Sequence, residues 1–382
     1  MPEIAEVARI VHFLRIHLVG KKIANAWAID DGNVFGKVGT TGAAVQAALK
    51  GNKVVSAGSQ GKYFWITLEK QPHLVMHFGM TGWVHIKQDM TAYTNYYKKM
   101  GDTTYEQWPP KFWKFHLKTE GPDPVEIAFT DARRFGRVRL VDCPAADIRK
   151  HSPLVENGPD PVVDKDRFTL DYFSGRTKSR HVPIKALLLD QTFISGIGNW
   201  VADETLYQAK AHPEQYCNEF DDDEIKSIYE AINYVCGLSI DKLGDSDQFP
   251  DHWLFNHRWG KGDKGPSRLP NGEKLDFITV GGRTSCYAPG IQKKTGGKAG
   301  RVKSEVKSED DAPEPKESKK SVKKNVKKAV VKKEEEDEED KKPISKKRRA
   351  PMDQSPVESK KGKTQAKPAE STGRRRSARL RE

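Results

Sequence analysis

Apolar residues recur at spacings of three and four from the first residues onward: Ile4, Val7, Ala8, Ile10, Val11, Leu14 and Leu18. That period predicts an amphipathic helix starting almost at the chain terminus and ending at Gly20. Pro2 falls at its N-terminus, where a missing N–H costs nothing. The pattern then shortens. The runs KKIANAWAI, NKVVSAGSQGKYFWITLE, HLVMHFGMTGWVHI, FWKFHLKT, VEIAFTD and GRVRLVD are β-rich and separated by Gly, Asp and Pro. They predict an antiparallel sandwich or barrel over residues 1–142, packed by the first helix. The polar, Tyr-rich stretch Gln88–Gln107 reads as an inserted loop.

Residues 143–170 read as a linker with some helix, containing Pro144, Pro153, Pro159 and Pro161. Residues 171–247 return to a helical pattern and predict a second, helical domain. Residues 248–290 are rich in Gly, Trp and Phe, and LDFITVGGRTSCYA predicts two short strands around Gly281-Gly282. The fold class expected is therefore α+β. Beyond Gly290 the chain is Lys-, Glu-, Ser- and Pro-rich with almost no aromatics. Such a segment buries too little apolar surface to offset chain entropy, so residues 291–382 are expected to be disordered.

Charge supports this division. Of 66 Lys+Arg and 53 Asp+Glu, residues 1–290 hold 36 of each, so the net charge of +13 lies wholly in the tail. The basic balance describes an appendage, and a nucleic-acid site in the folded part must rest on local constellations. Cys143, Cys217, Cys236 and Cys286 show no CxxC spacing, which argues against a zinc ribbon and a disulfide framework. No apolar run approaches the roughly 18 residues of a membrane span. Glu3 and Glu6 stand where a signal peptide would be basic, so no such peptide is expected.

The candidate chemistry begins at M-P-E-I-A-E-V. Once Met1 is lost, Pro2 is a secondary α-amine; such amines titrate near ~8, so part of it is neutral at pH 7. A neutral amine can attack a sugar C1′ and form an iminium that serves as an electron sink. Glu3, next to it, could carry protons if its site raises its pKa. Alone, Pro-Glu is better read as an ordinary helix start. Three further motifs change that: QGKYFWITL around Lys62, HFGMTG with TDARRFGRV, and PIKALLLDQTFISGIGNWVADETLYQAKAHP. Together with the N-terminus they resemble the formamidopyrimidine-DNA glycosylase/endonuclease VIII family over most of Pro2–Gln292. The last motif resembles that family's helix–two-turns–helix domain and is the most specific.

The resemblance implies a bifunctional glycosylase–lyase of DNA repair, acting on oxidised purines, with oxidised pyrimidines as an alternative. Pro2 would be the nucleophile, Glu3 the proton carrier, and Lys62 a phosphate contact. Met80, Arg133 and Phe135 match residues that fill the gap left by an extruded nucleotide, with Arg133 facing the orphaned base. In an extended segment Arg133 and Phe135 would share one side and Arg134 would point away, towards a phosphate. Gly198 and Asn199 offer backbone N–H groups and an amide to a phosphate. Lys185 resembles another phosphate contact, although a solvated helix lysine fits its pattern nearly as well. Glu204 is expected to orient Asn199 or the Pro2 region.

Arg283, in GGRTSCYAPG, matches the arginine at the tip of the family's zinc finger, but the finger's four cysteines are missing. This resembles the zincless finger of some members, with Trp253, Phe255, Trp259, Phe277 and Ile278 expected as its core. The expected partner is damaged double-stranded DNA, bound by a monomer without metal, cofactor or membrane. The clusters Lys346-Lys347-Arg348-Arg349 and Arg374-Arg375-Arg376 suggest nuclear import and salt-sensitive DNA affinity. The reading from another class is a catalytically silent DNA- or chromatin-binding protein.

Overall fold

The computed structural model describes residues 2–87, 89, 91, 107–261 and 267–296. Most of the inserted loop expected at 88–107, and the tail with both basic clusters, lie outside the described residues.

The first helix, α1, spans Ile4–His17, and Gly20 takes φ +85° where the chain turns away. Its first turn is closed by the Glu6 carboxylate, which accepts the Glu3 N–H at 2.9 Å. The helix serves two cores. Val7, Ile10, Val11, Leu14 and Leu18 pack with Phe64, Met76, Phe78, Trp83 and Phe129 of the β domain. Ile4 and Ala5 instead pack with Ile197, Trp200 and Phe173 of the helical domain. The chain terminus is thus ordered by burial on both sides.

The β domain is a sandwich of two antiparallel four-stranded sheets. One orders β1 (Ile23–Ala28), β6 (Trp113–Thr119), β7 (Glu126–Thr130) and β5 (Trp83–Ile86). The other orders β2 (Val54–Gln60), β3 (Tyr63–Leu68), β4 (His73–His77) and β8 (Arg137–Val141). The six β-rich runs supply all eight strands. A short helix, α2 (Gly42–Leu49), is capped by Thr41 Oγ1, which accepts the Ala44 N–H at 3.1 Å. Sequence reading did not anticipate it, because eight residues carry too little periodicity. The linker is a packed layer: Cys143, Ile148 and Leu154 cover Trp65, Val75 and Val141 on the outer face of the second sheet.

The helical domain contains α3 (Leu170–Lys178), α4 (Ile184–Leu188), α5 (Asn199–Gln208) and α6 (Asp222–Asp241). The run PIKALLLDQTF is helical only through Leu188, because the Asp190 carboxylate accepts the Thr192 N–H and turns the chain. The closing hairpin pairs β9 (Asp276–Val280) with β10 (Arg283–Tyr287). Gly281 and Gly282, at φ +59° and +74°, make the two-residue turn that requires positive φ twice.

The hairpin's core differs from expectation. It is built by Leu254, Leu269, Leu275, Cys286 and Ala288, with Phe277 against them. Trp253 and Phe255 pack with Phe249 in the helical domain. Ile278 alternates to the face opposite Phe277, and Trp259 is 64% exposed.

Candidate active site

Pro2 is buried at the junction of the two cores, and Glu3 fixes it there. The Glu3 carboxylate is 2% exposed and accepts three backbone N–H groups at the start of α5: Gly198 at 2.8 Å, Trp200 at 3.1 Å and Val201 at 3.1 Å. A carboxylate at a helix N-terminus satisfies orphan donors and meets the positive end of the helix dipole. Only glycine fits opposite it, since a Cβ on Gly198 would lie 2.2 Å from Glu3 Cδ. This corrects the expectation for the turn: the Gly198 N–H grips Glu3, not a phosphate.

Glu6, which sequence reading passed over, is the carboxyl placed to hold a proton. Burial, reinforced by the negative charge of Glu3, raises it to about 7. Its signal was present as a second acid one helical turn after Glu3.

Lys62 lies in the two-residue turn between β2 and β3, not inside a strand. Gly61 makes that turn at φ +59° and donates its N–H to Asp160 Oδ2 at 2.8 Å. A Cβ there would lie 2.5 Å from Ser195 Cβ, so the turn abuts the loop before α5. Lys62 is consequently 9% exposed. Burial lowers its pKa; the charges of Glu3 and Glu6 oppose that shift and Arg283 adds to it. Glu3, Glu6, Lys62 and Arg283 thus share one electrostatic neighbourhood, although they come from the first helix, a β turn and the hairpin.

A second group lies on one framework centred on Asp131. Its Oδ1 accepts Thr81 Oγ1 at 2.5 Å and the Arg133 N–H at 3.2 Å, and its Oδ2 accepts the Gly136 N–H at 2.6 Å. Gly79, at φ +61°, backs onto Phe135, where a Cβ would lie 2.4 Å from its carbonyl carbon. Met80, half-buried, is therefore held beside exposed Arg133 and Phe135. The segment is a turn and not extended, with Arg134 at φ +61°. Even so, Arg133 and Phe135 stay together, the guanidinium lying 5.1 Å from the ring centroid. Arg134 does not stand clear: Asp31 takes its Nε at 2.9 Å and also Lys114 Nζ at 3.0 Å. Burial alone would raise the Asp31 carboxyl, but these two cations hold it far below the usual carboxylate range.

The hairpin's root corrects the expectations for Lys185 and Glu204 and places Asn199. Lys185 is fully buried, ion-paired with Asp203 and donating to Ser285 Oγ at 3.1 Å, so it is neither solvated nor placed at a phosphate. Asp203 also accepts Arg258 and, at 3.2 Å, the Cys286 N–H. Asn199 Nδ2 donates to the Thr284 carbonyl at 2.9 Å, tying α5 to β10. Glu204 does not face Asn199 or Pro2. It accepts Phe255 N–H at 2.8 Å and Gln208 Nε2 at 2.7 Å, and burial raises it to about 7. Among the described residues no cluster of His, Cys, Asp or Glu could hold a metal ion; ion pairs and backbone bonds fasten this hairpin.

The architecture defines a two-domain protein with Pro2 at the junction of a β-sandwich and a helical domain. Sequence profiles agree: the formamidopyrimidine-DNA glycosylase N-terminal domain matches residues 1–138, and the H2TH domain of the same glycosylase matches residues 157–250. The chain is 37% identical over 306 residues to a formamidopyrimidine-DNA glycosylase of Arabidopsis thaliana, covering 79% of this chain and 74% of that protein. It is 32% identical over 301 residues to the Desulfitobacterium hafniense enzyme of that name, covering 76% and 100%. In fold it matches Lactococcus lactis formamidopyrimidine-DNA glycosylase, solved non-covalently bound to AP-site DNA. The TM-score is 0.61 at 24% identity, over 76% of this chain and 100% of that one. It also matches MutM in complex with DNA containing carbocyclic 8-oxo-G, with a TM-score of 0.62 at 23% identity, over 77% and 100%. The chain belongs to the formamidopyrimidine-DNA glycosylase family.

Proposed function

We propose that this protein excises oxidised purines from double-stranded DNA and then nicks the abasic strand, using Pro2 as nucleophile after removal of Met1. The observation that carries this is the burial of Pro2 beside Glu3, Glu6 and Lys62 at one interdomain junction. The Pro2 amine attacks C1′ as the damaged base departs; the C1′–O4′ bond then opens as O4′ takes a proton, and the iminium so formed acidifies C2′ for β-elimination of the 3′ phosphate, with δ-elimination following. Glu3 fixes the nucleophile, and Glu6, near pH 7 in its titration, carries protons between steps. Lys62 and Arg283 hold the flanking phosphates. Met80, Arg133 and Phe135 enter the gap, and Arg134, leaning on Asp31, serves the backbone nearby.

Relatives named formamidopyrimidine-DNA glycosylase favour the purine reading. The basic clusters of the tail are proposed to direct the protein to the nucleus. The test is borohydride trapping on duplexes containing oxidised guanine, an oxidised pyrimidine or an abasic site. A covalent adduct that disappears in Pro2→Gly is expected. No adduct, or one undiminished in Pro2→Gly, would defeat the proline mechanism, and adduct only on the oxidised pyrimidine would move the substrate class.

A further inference from the structure

The turn that carries Lys62 is held from outside the β sheets. Lys62 is buried, so the backbone of that turn sets where its ammonium stands. Three bonds fasten the turn to the linker. Gly61 donates its N–H to Asp160 Oδ2 at 2.8 Å, Gln60 Nε2 donates to the Leu154 carbonyl at 3.3 Å, and Gln60 Oε1 accepts Arg149 Nε at 2.9 Å. The linker also bonds to itself. Arg149 Nη2 donates to both oxygens of Asp164, at 2.7 and 2.6 Å, and Asp164 Oδ2 accepts the Asp160 N–H at 3.0 Å. A closed ring results, running through Gln60, Arg149, Asp164, Asp160 and Gly61. Gln60, Asp160 and Asp164 are all buried in it.

The same stretch holds the other half of the site. The Pro159 carbonyl accepts the Ser195 N–H at 3.1 Å, and the Gly196 carbonyl accepts the N–H of Ile4, the residue after Glu3, at 3.1 Å. A Cβ on Gly61 would lie 2.7 Å from Gly196 N, so the turn and this loop are in direct contact. Pro159 and Asp160, neighbours in the chain, thus register the Lys62 turn against the loop that seats the start of α1. Both Asp160 oxygens are engaged, since Oδ1 accepts the Val162 and Val163 N–H groups at 2.9 and 3.0 Å.

We propose that Asp160 is a positioning residue for Lys62: through the Gly61 N–H it fixes the Lys62 ammonium relative to Glu3 and the Pro2 amine, and so sets the rate of strand cleavage. It acts through backbone N–H groups and not on the substrate. Arg149 and Asp164 hold Asp160 in turn. The inference rests on the glycosylase–lyase reading above.

The test is a double-mutant cycle on the full chain, read as the single-turnover rate of abasic-duplex cleavage with protein in excess. Asparagine has one acceptor oxygen and an NH2 group. Asp160→Asn therefore turns a donor towards either the Gly61 N–H or the Val162 and Val163 N–H groups. It is expected to slow cleavage about tenfold in the parent, the cost of a small misplacement. In the slower Lys62→Met background the same change is expected to cost less than about twofold, because the group it positions is gone. Arg149→Gln opens the ring at its most exposed corner. It is expected to slow the parent about threefold and to be silent in Lys62→Met, and it carries the cycle if Asp160→Asn does not fold. Equal slowing in both backgrounds would overturn the positioning role and leave Asp160 a support of the fold. Parent-like rates in both variants would overturn it as well. Borohydride trapping of the unaltered protein separates the two readings. With an adduct formed, an additive cycle defeats this inference alone; with no adduct, the glycosylase–lyase reading falls and this inference with it.

Discussion

Lys62 and Lys185 are both buried lysines, and burial lowers the pKa of each. Their surroundings differ. Lys185 is at 0% exposure with Asp203 in contact and Ser285 Oγ and the Asn199 carbonyl beside it. Lys62 sits in a tight turn with no hydrogen bond or ion pair among the described residues, in the field of Glu3, Glu6 and Arg283 and close enough to act on His77. A buried cation with fixed partners is a strut, because removing it strands the partner charge. A buried cation without fixed partners is held ready for an anion from outside. The β turn belongs to chemistry and the hairpin root to architecture, although sequence reading assigned both lysines to phosphate.

The largest expected effect tests that contrast directly. Lys62→Met should lower the rate of abasic-strand cleavage by about 100-fold or more, with an unchanged or higher thermal midpoint. Lys185→Met should cost about 3 kcal/mol of stability, read as a lower denaturation midpoint, while residual activity follows the folded fraction. If Lys62→Met unfolds the protein and Lys185→Met does not, the comparison is reversed.

A smaller effect concerns Glu204, which lies at the hairpin root like Lys185. Its folded pKa of about 7 stands above the ordinary 4.5. The folded state therefore binds more protons than the unfolded chain between those values, and stability falls as pH rises through that window. Glu204→Gln should remove its share of the fall and raise the midpoint at pH 7–8 by a few degrees, corresponding to about 1–2 kcal/mol. Midpoints measured from pH 4.5 to 8 decide this; a variant whose midpoint falls as steeply as the parent's would place the titration elsewhere. Glu6 has the same sign and window, so a residual slope belongs to it.

The smallest effect is on Arg134, which is half-exposed yet leans on Asp31. Arg134→Gln should leave the midpoint within about 2 °C and lower the salt slope of DNA binding by about one phosphate contact. An unchanged slope would make Arg134 a strut like Lys185.

Much of the fold was legible because its signals are local. The period of α1, the strand runs and the Gly281-Gly282 turn each lie within a few residues, and each element appears where expected. The site was legible in identity more than in role. Glu3, Lys62 and Arg283 lie in one electrostatic neighbourhood, but sequence spacing could not show that Glu3 caps α5, that Arg134 is bound, or that Glu204 serves Phe255. Those facts depend on partners about 50 to 200 positions away.

The sequence alone determined an ordered proline at the chain start, a sandwich followed by helices and a hairpin, and a basic tail separable by charge. Only the tertiary structure decided which charges are struts and which are poised for a ligand. That distinction depends on burial and on the distance to the nearest opposite charge, and both arise only when remote segments close on one another.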